Sequence, residues 1–266
     1  MTIDPAAIEL IQRFESCSLR PNWAGGASGI DIGWGCDIGA APASLDAWEP
    51  LLDANAYGRL TTARGVTGAA AEALQLKLAD IKIPQAAADK IFAEHDMPAA
   101  LNQTLRAFPG ADQLPGKSLG ALVSLVFNRG ARLTDVAGQR PRAEMRAIKD
   151  HLAAGAFDMV PLEFALMSRL WPDPKGPTAS NLMGRRYAEG HLFEAGLRDV
   201  GMASSATLLL DDSGDRVKAL QAALRITADG AFGPATLRAL LAWQVAQGLH
   251  EHGIVDPLTL KSLNLS

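Results

Sequence analysis

Residues 44 to 197 repeat one pattern, in which apolar residues recur at the spacing of an α-helix between breaks at Pro and Gly. Apolar positions about 3.6 residues apart indicate amphipathic helices, and Pro or Gly between them ends one helix before the next begins. The pattern predicts helices over residues 70–80, 85–96, 97–107, 117–129, 142–154, 158–170 and 181–196. Apolar residues make up 48% of the 266-residue chain, so these helices can bury a core. The chain is therefore expected to be mainly helical.

Charge and apolar run length argue against two classes of partner. The net charge is −4, from 25 basic and 29 acidic residues without a long basic run, so nucleic acid is not an expected partner. No apolar run approaches the roughly 20 residues of a membrane span. The N-terminal residues lack the basic region and apolar core of a signal peptide. The protein is therefore expected to be made in the cytoplasm and to act outside it only after release.

The first predicted helix carries an acid at an apolar position. Asp4 is a suitable N-cap, and Pro5 follows at the first helical position. At 100° per residue, the next residues form one apolar arc, and Glu15 projects into it. A carboxylic acid that loses its hydration there can keep a proton near neutral pH and act as a general acid, as in glycosidases. The alternative for Glu15 is an ion pair with one of the internal arginines Arg129, Arg185 or Arg186.

Two more acids follow in the glycine-rich segment 29–39, which alternates strictly. Apolar residues occupy one face, whereas Asp31 and Asp37 occupy the other and have only glycines between them. Glycines let a ligand approach a strand closely, so this face suits an extended sugar chain; a turn-rich hairpin with solvated acids is the alternative. Six residues of straight strand span roughly 20 Å, but the two carboxyls of a glycosidase lie roughly 5 to 9.5 Å apart. Both aspartates can therefore act at one bond only if the chain bends at Gly33–Gly35.

Three segments carry a family pattern. They are FESCSLR followed by SGIDIGWGCDIG near the N-terminus, ALVSLVFNRG at residues 121–130, and NLMGRRYAEGHLF at residues 181–193. Together and in this order they resemble the phage-type lysozymes, the endolysin and pesticin group. The resemblance implies an α+β lysozyme-like catalytic domain over residues 1–200, mainly α with a small β-hairpin region. It also implies hydrolysis of the β-1,4 bond between N-acetylmuramic acid and N-acetylglucosamine.

The same resemblance implies roles for single residues. Glu15 would be the general acid that protonates the glycosidic oxygen. Asp37 matches an Asp of the pesticin-like branch and would position or activate water, while Asp31 stands where most members have Thr and could take the base role instead. Asn128 would hydrogen-bond an N-acetyl group, with Arg129 beside it at the same helix end. A purely structural role at that helix end is the alternative for the last two residues.

Two tryptophans and two cysteines lie near the predicted acids. Trp23, expected in a loop, is the candidate for stacking on a sugar ring, whereas the strand phase predicts that Trp34 lies in the core. Cys17 and Cys36 are expected to be reduced thiols, with a bridge between them as the alternative. No metal or organic cofactor is implied.

The end of the chain carries a second pattern. After a polar junction at residues 201–210, residues 211–266 show the helix and turn signals of a small three-helix domain, including the turns Asp229-Gly230 and Gly233-Pro234. The segments SGDRVKALQAAL, DGAFGPATLRALLAWQ and GIVDPLTLKSL resemble the peptidoglycan-binding domains. This resemblance implies bacterial peptidoglycan as the partner. A linker over 201–210 would tether the catalytic domain to the wall and raise the local concentration of its substrate.

Together the two resemblances predict a monomeric muramidase without a cofactor, either an endolysin or a secreted antibacterial effector of the type VI kind. Three other functions stay open at this point. They are a lytic transglycosylase, which needs one acid and no water-activating partner, a chitinase-type hydrolase, and a catalytically inactive wall-binding protein.

Overall fold

The computed structural model describes residues 3–171, 182–202, 208, 210–249 and 253–265. The chain divides into two compact units, Ile11–Ala100 on the one hand and Met1–Leu10 with Leu101–Ser266 on the other. Helices dominate the described ranges, and a three-stranded sheet accompanies them. The predicted fold class, mainly α with a small β-hairpin region and a small helical C-terminal part, is therefore confirmed.

The unit Ile11–Ala100 holds the sheet, which is antiparallel in the order β1–β2–β3. The strands are β1, Ser18–Trp23; β2, Ile30–Gly33; and β3, Cys36–Asp37. The apolar face of the glycine-rich segment packs inward, since Ile30, Ile32 and Ile38 are fully buried in a core that also contains Trp48. The alternation therefore predicted the buried face correctly.

Helices surround this sheet within the same unit and lead out of it. Helix α1, Pro5–Phe14, begins as predicted, because Asp4 Oδ1 accepts a hydrogen bond from the N–H of Ala6 at 2.9 Å. The following helices are α2, Ala54–Leu60; α3, Ala69–Leu78; α4, Gln85–Ile91; and α5, Met97–Ala107. The helix predicted over 85–96 ends in one π-helical turn, Phe92–Asp96, before α5 begins.

In the second unit, four helices follow α5 along the chain. They are α6, Gly116–Arg129; α7, Ala143–Ala154; α8, Val160–Met167; and α9, Leu182–Asp199. Helix α9 packs against α6 and α8, and α7 packs against α8. The approach of α9 to α6 is close at Gly196, where an added Cβ would lie 2.3 Å from Ser118 Oγ. Ser118 Oγ also donates to the carbonyl of Phe193 at 2.7 Å, so a larger residue at position 196 would separate the two helices.

The arginine pair of α9 belongs to a buried polar network between α9 and α6. Arg185, Arg186 and Glu189 are fully buried. Glu189 Oε1 accepts hydrogen bonds from Arg185 Nε at 3.2 Å, from Arg186 Nη2 at 3.0 Å and from Ser124 Oγ at 2.6 Å. The carboxylate balances charge that would otherwise be costly to bury. The RR-x-x-E pattern of the sequence is thus an architectural feature.

The C-terminal part contains two copies of one loop motif. Its helices are α10, Asp215–Ala223; α11, Pro234–Ala246; and α12, Pro257–Ser262. Gln221 accepts from the N–H of Gly230 at 2.8 Å and donates to Thr236 Oγ1 at 2.9 Å. Gln244 repeats both contacts at the same sequence spacing, with Gly253 at 2.9 Å and Thr259 at 3.3 Å. Each buried glutamine therefore fixes the loop that precedes the next helix.

This C-terminal part shares a core with α8 and α9. Ala165 and Tyr187 pack in one buried cluster with Val217 and other residues of α10, α11 and the loops. Arg198 Nη1 of α9 also donates to Asp212 Oδ1 at 2.9 Å. Most of the predicted linker 201–210 lies outside the described residues. The predicted division into domains at 1–200 and 211–266 stays a prediction.

Candidate active site

The β2–β3 hairpin brings two of the predicted acids face to face. Asp31 of β2 pairs directly with Asp37 of β3. Residues directly opposite in an antiparallel pair have Cβ atoms about 4.5–5.5 Å apart on the same face. The reversal runs through Gly33 and Gly35, whose φ angles of 61° and 91° strain any residue with a side chain. The bend that the distance argument required is therefore present.

Glu15 lies beside this turn. Helix α1 ends one residue earlier, and the N–H of Glu15 donates to the carbonyl of Ile11 at 2.9 Å. The side chain is half-buried. A methyl group added at Gly35 would lie 3.9 Å from Oε2 of Glu15. The end of α1 thus directs a carboxylate to bare backbone at the tip of the hairpin.

Asp31 is the acid whose pKa the other two acids raise. Partial burial raises the pKa of Asp31 from 3.8 to about 6, and the negative charges of Asp37 and Glu15 also raise it. No described residue forms a hydrogen bond or an ion pair with the Asp31 carboxyl. This carboxyl can therefore meet water or a ligand, and it changes its protonation near neutral pH.

Asp37 has very different surroundings. Its Oδ1 accepts from the N–H groups of Gly39 and Ala40, both at 2.9 Å, and its Oδ2 accepts from the N–H of Gly29 at 3.0 Å. Both carboxylate oxygens are thus used to hold the backbone on either side of the β2–β3 hairpin. The prediction that Asp37 positions or activates water stays a prediction.

The two tryptophans do not occupy the predicted positions. Trp23 was expected in a loop but lies in β1, where it packs partly against the core. Its Nε1 donates to the carbonyl of Ser28 at 3.2 Å. Trp34 was expected in the core but lies half-buried at the hairpin turn, where its Nε1 donates to Asp89 Oδ1 at 2.8 Å. The strand phase failed at Trp34 because the strand ends at Gly33.

Asn128 and Arg129 close helix α6 in the other unit. Asn128 Oδ1 accepts from Arg186 Nη2 at 3.2 Å. Arg129 is buried, and its Nη2 donates to the carbonyl of Pro141 at 2.8 Å. Both residues line a cavity of about 410 Å³ that also contains Trp171. Arg129 was predicted from the sequence, whereas Trp171, Arg140 and Arg142 were not, because they lie in separate loops. The arginine-rich loop before α7 was the available signal.

The described residues contain neither a group of metal ligands nor a disulfide. Within the described ranges, no three His, Cys, Asp or Glu side chains are grouped so that they could hold a metal ion. Cys17 and Cys36 are both free thiols, and burial raises the pKa of Cys36 to about 11. In the same part of the chain, no helix has the length and apolar character needed to cross a membrane.

Comparison with known proteins identifies the C-terminal part. Residues 213–263 match the family described as "Putative peptidoglycan binding domain". Over 68 residues the chain is 46% identical to the uncharacterized protein in the bpoA1 3' region of Kitasatospora aureofaciens. This match covers 23% of this chain and 58% of that protein. The chain thus spans little more than half of this relative. The chain therefore ends in a peptidoglycan-binding domain, and its predicted partner, peptidoglycan, is supported.

Proposed function

We propose that this protein is a peptidoglycan hydrolase that cleaves the β-1,4 bond between N-acetylmuramic acid and N-acetylglucosamine. The observation that carries the proposal is the meeting of Glu15, Asp31 and Asp37 at one hairpin, where the Asp31 carboxyl has no partner among the described residues and a pKa raised to about 6. Paired carboxyls in different protonation states are what glycoside hydrolysis requires. The peptidoglycan-binding domain at residues 213–263 supports the choice of substrate.

Glu15 and Asp31 are the proposed reacting pair. Glu15 gives its proton to the glycosidic oxygen as the bond to the leaving sugar breaks. Asp31, when ionised, takes a proton from the water that attacks the sugar carbon. A base with a pKa near the working pH combines a useful ionised fraction with a strong tendency to accept a proton. Asp31 has this property because burial and the negative charge of Asp37 raise its pKa.

Asp37 is proposed as a positioning residue. Three backbone hydrogen bonds already occupy its oxygens, so it is held in place beside Asp31. Its charge nevertheless faces Asp31 across the hairpin and helps to raise the pKa of that acid. Asp37 would therefore act on the reaction through Asp31.

The test is digestion of purified cell-wall sacculi by the full chain and by Glu15→Gln. We expect the wild type to clear a sacculus suspension and Glu15→Gln to lose at least about 100-fold in rate, since a general acid contributes about that much or more. Binding of the variant to sacculi should be unchanged. Glu9→Gln, on the exposed side of the same helix, is the matched control. Wild-type clearing by Glu15→Gln would rule out Glu15 as the acid.

Mass spectrometry of the products separates the remaining functions. Reducing sugar ends indicate hydrolysis, whereas 1,6-anhydro ends indicate a lytic transglycosylase. Cleavage of chitin oligomers in preference to sacculi would indicate a chitinase-type hydrolase. A protein that sediments with sacculi and never releases fragments would be a wall-binding protein only, the second candidate that the match at residues 213–263 favours.

A further inference from the structure

A cluster of arginines surrounds one tryptophan at the end of α6. The guanidinium groups of Arg129, Arg140 and Arg186 lie 5.1, 5.2 and 5.4 Å from the centre of the Trp171 ring. The cavity of about 410 Å³ at this place is also lined by Arg142. Guanidinium groups at this distance from an indole are held by cation–π attraction. We call Arg129, Arg140, Arg142 and Trp171 the arginine cage.

Within the described ranges, the side chains of the cage arginines donate to backbone carbonyls and to a sulfur rather than to carboxylates. Arg129 and Arg140 donate to the backbone carbonyls of Pro141 and Leu170, and Arg142 donates to the sulfur of Met145. None of the three forms an ion pair with a described residue. Their positive charge is therefore balanced only by more distant groups, and an anion that entered the cavity would meet three cations at once.

Arg129 provides the strongest sign of a missing ligand. Arg129 is only 9% exposed, and its Nη1 is buried without a hydrogen-bond partner among the described residues. Burial lowers the pKa of Arg129 to about 10, and the charge of Arg142 also lowers it, so the group stays charged at neutral pH. A buried charged donor without an acceptor is costly unless something else pairs with it. An acceptor from a ligand would remove that cost.

We propose that the arginine cage binds a carboxylate of the peptide stems of peptidoglycan. The planar guanidinium fork matches a carboxylate in two parallel hydrogen bonds. The cavity lies within the roughly 300–1,000 Å³ of small-ligand sites, so it admits part of a peptide and not merely a small ion. A neutral N-acetyl sugar would leave the three charges unbalanced. The identity of the ligand rests on the proposed function.

The experiment is calorimetric titration of the full chain with the free stem peptide L-Ala–γ-D-Glu–L-Lys–D-Ala. This peptide has no glycosidic bond, so the result does not depend on whether the protein cleaves walls. The same peptide with its carboxylates amidated is the second ligand, and inorganic phosphate is the third. We expect measurable binding of the free-carboxylate peptide only.

Two variants test the cage itself. Arg140→Gln, at an exposed position with little risk to folding, should weaken binding about tenfold, as expected for a lost charge-assisted hydrogen bond. Arg129→Gln should weaken it further, with thermal melting to check that the variant folds. The matched control is Arg106→Gln, on the exposed face of α5, which should bind like the wild type.

Three outcomes would overturn the inference. They are wild-type affinity in Arg140→Gln, equal binding of the amidated peptide, and equal binding of phosphate. Any peptide bound by residues 213–263 would remain bound in the cage variants, so only the affinity that they lose counts for the cage. Peptide binding without cleavage of sacculi would preserve the cage and refute the proposed hydrolase.

Discussion

Asp31 and Asp37 face each other across two strands, yet they differ in every contact that matters for chemistry. Asp37 accepts three backbone hydrogen bonds, while Asp31 accepts none from the described residues. Burial and the two neighbouring acids raise the pKa of Asp31 to about 6. At the residue scale, this difference is the reason why we propose proton transfer for Asp31 and positioning for Asp37.

The raised pKa of Asp31 predicts the pH dependence of wall cleavage. The proposed base must be ionised, so the rate should rise as the pH passes through about 6. The measurement is the initial rate of sacculus clearing between pH 4 and pH 9, for the wild type and for Asp31→Asn. The variant should be slow and should lack this rise. A wild-type rate that instead falls above pH 6 would exchange the roles of Glu15 and Asp31.

The backbone hydrogen bonds of Asp37 predict a loss of stability in Asp37→Ala. The N–H groups of Gly29, Gly39 and Ala40 would lose their acceptor, at a cost of about 1–3 kcal/mol in the free energy of unfolding. Urea denaturation measures this change. Glu49→Ala, at an exposed carboxylate of the same unit, is the control. Equal stability of wild type and Asp37→Ala would mean that the hairpin is held by other contacts.

At the element scale, helix α9 is fixed by a close approach and by buried charge. Gly196 lets the helix come close to Ser118 of α6. About two helical turns before Gly196, the carboxylate of Glu189 accepts hydrogen bonds from Arg185, Arg186 and Ser124. The close approach at Gly196 and the buried network of Glu189 together hold α9 against α6.

Glu189→Ala should therefore be strongly destabilising. It leaves Arg185 and Arg186 fully buried without their shared carboxylate, and breaking one side of a buried ion pair costs roughly 3–5 kcal/mol. Thermal and chemical unfolding of the purified variant measure the loss. Asp150→Ala, on the exposed side of α7, should change stability little. A Glu189→Ala protein as stable as the control would show that the two arginines find other partners.

At the scale of the whole molecule, the peptidoglycan-binding domain is more than a tethered module. Its buried residues share a cluster with Ala165 and Tyr187, and Asp212 pairs with Arg198. The domain therefore contributes to the stability of the helices that precede it.

This packing predicts the result of truncation before residue 203. Removal of the C-terminal part exposes the apolar surface of α8 and α9 around Tyr187, so the unfolding temperature of the remaining chain should fall. Differential scanning calorimetry of the truncated and full-length proteins measures the shift. Cleavage of whole sacculi should fall as well. An unchanged unfolding temperature would mean that the domain is only tethered, as the sequence pattern alone suggested.

The sequence by itself determined most of the helices and the identity of the C-terminal domain. Helical periodicity located α3, α5, α6 and α7 closely, because the spacing of apolar residues is a local property. The alternation of residues 29–39 likewise indicated which face is buried. The acids of the candidate site also lie within one short segment of the chain, so the sequence pattern of that segment was enough to predict them together.

Tertiary structure alone decided the position and the contacts of each of these residues. It turned the chain at Gly33–Gly35, and so brought Asp31 opposite Asp37 and placed Trp34 in a turn, where it is only partly buried against the core. It also brought the residues of the arginine cage together: one lies at the end of α6, two lie in the loop before α7, and Trp171 follows Leu170. Hydrogen-bond partners, burial and neighbouring charge come from residues distant in sequence, so they are fixed only when the whole chain has packed.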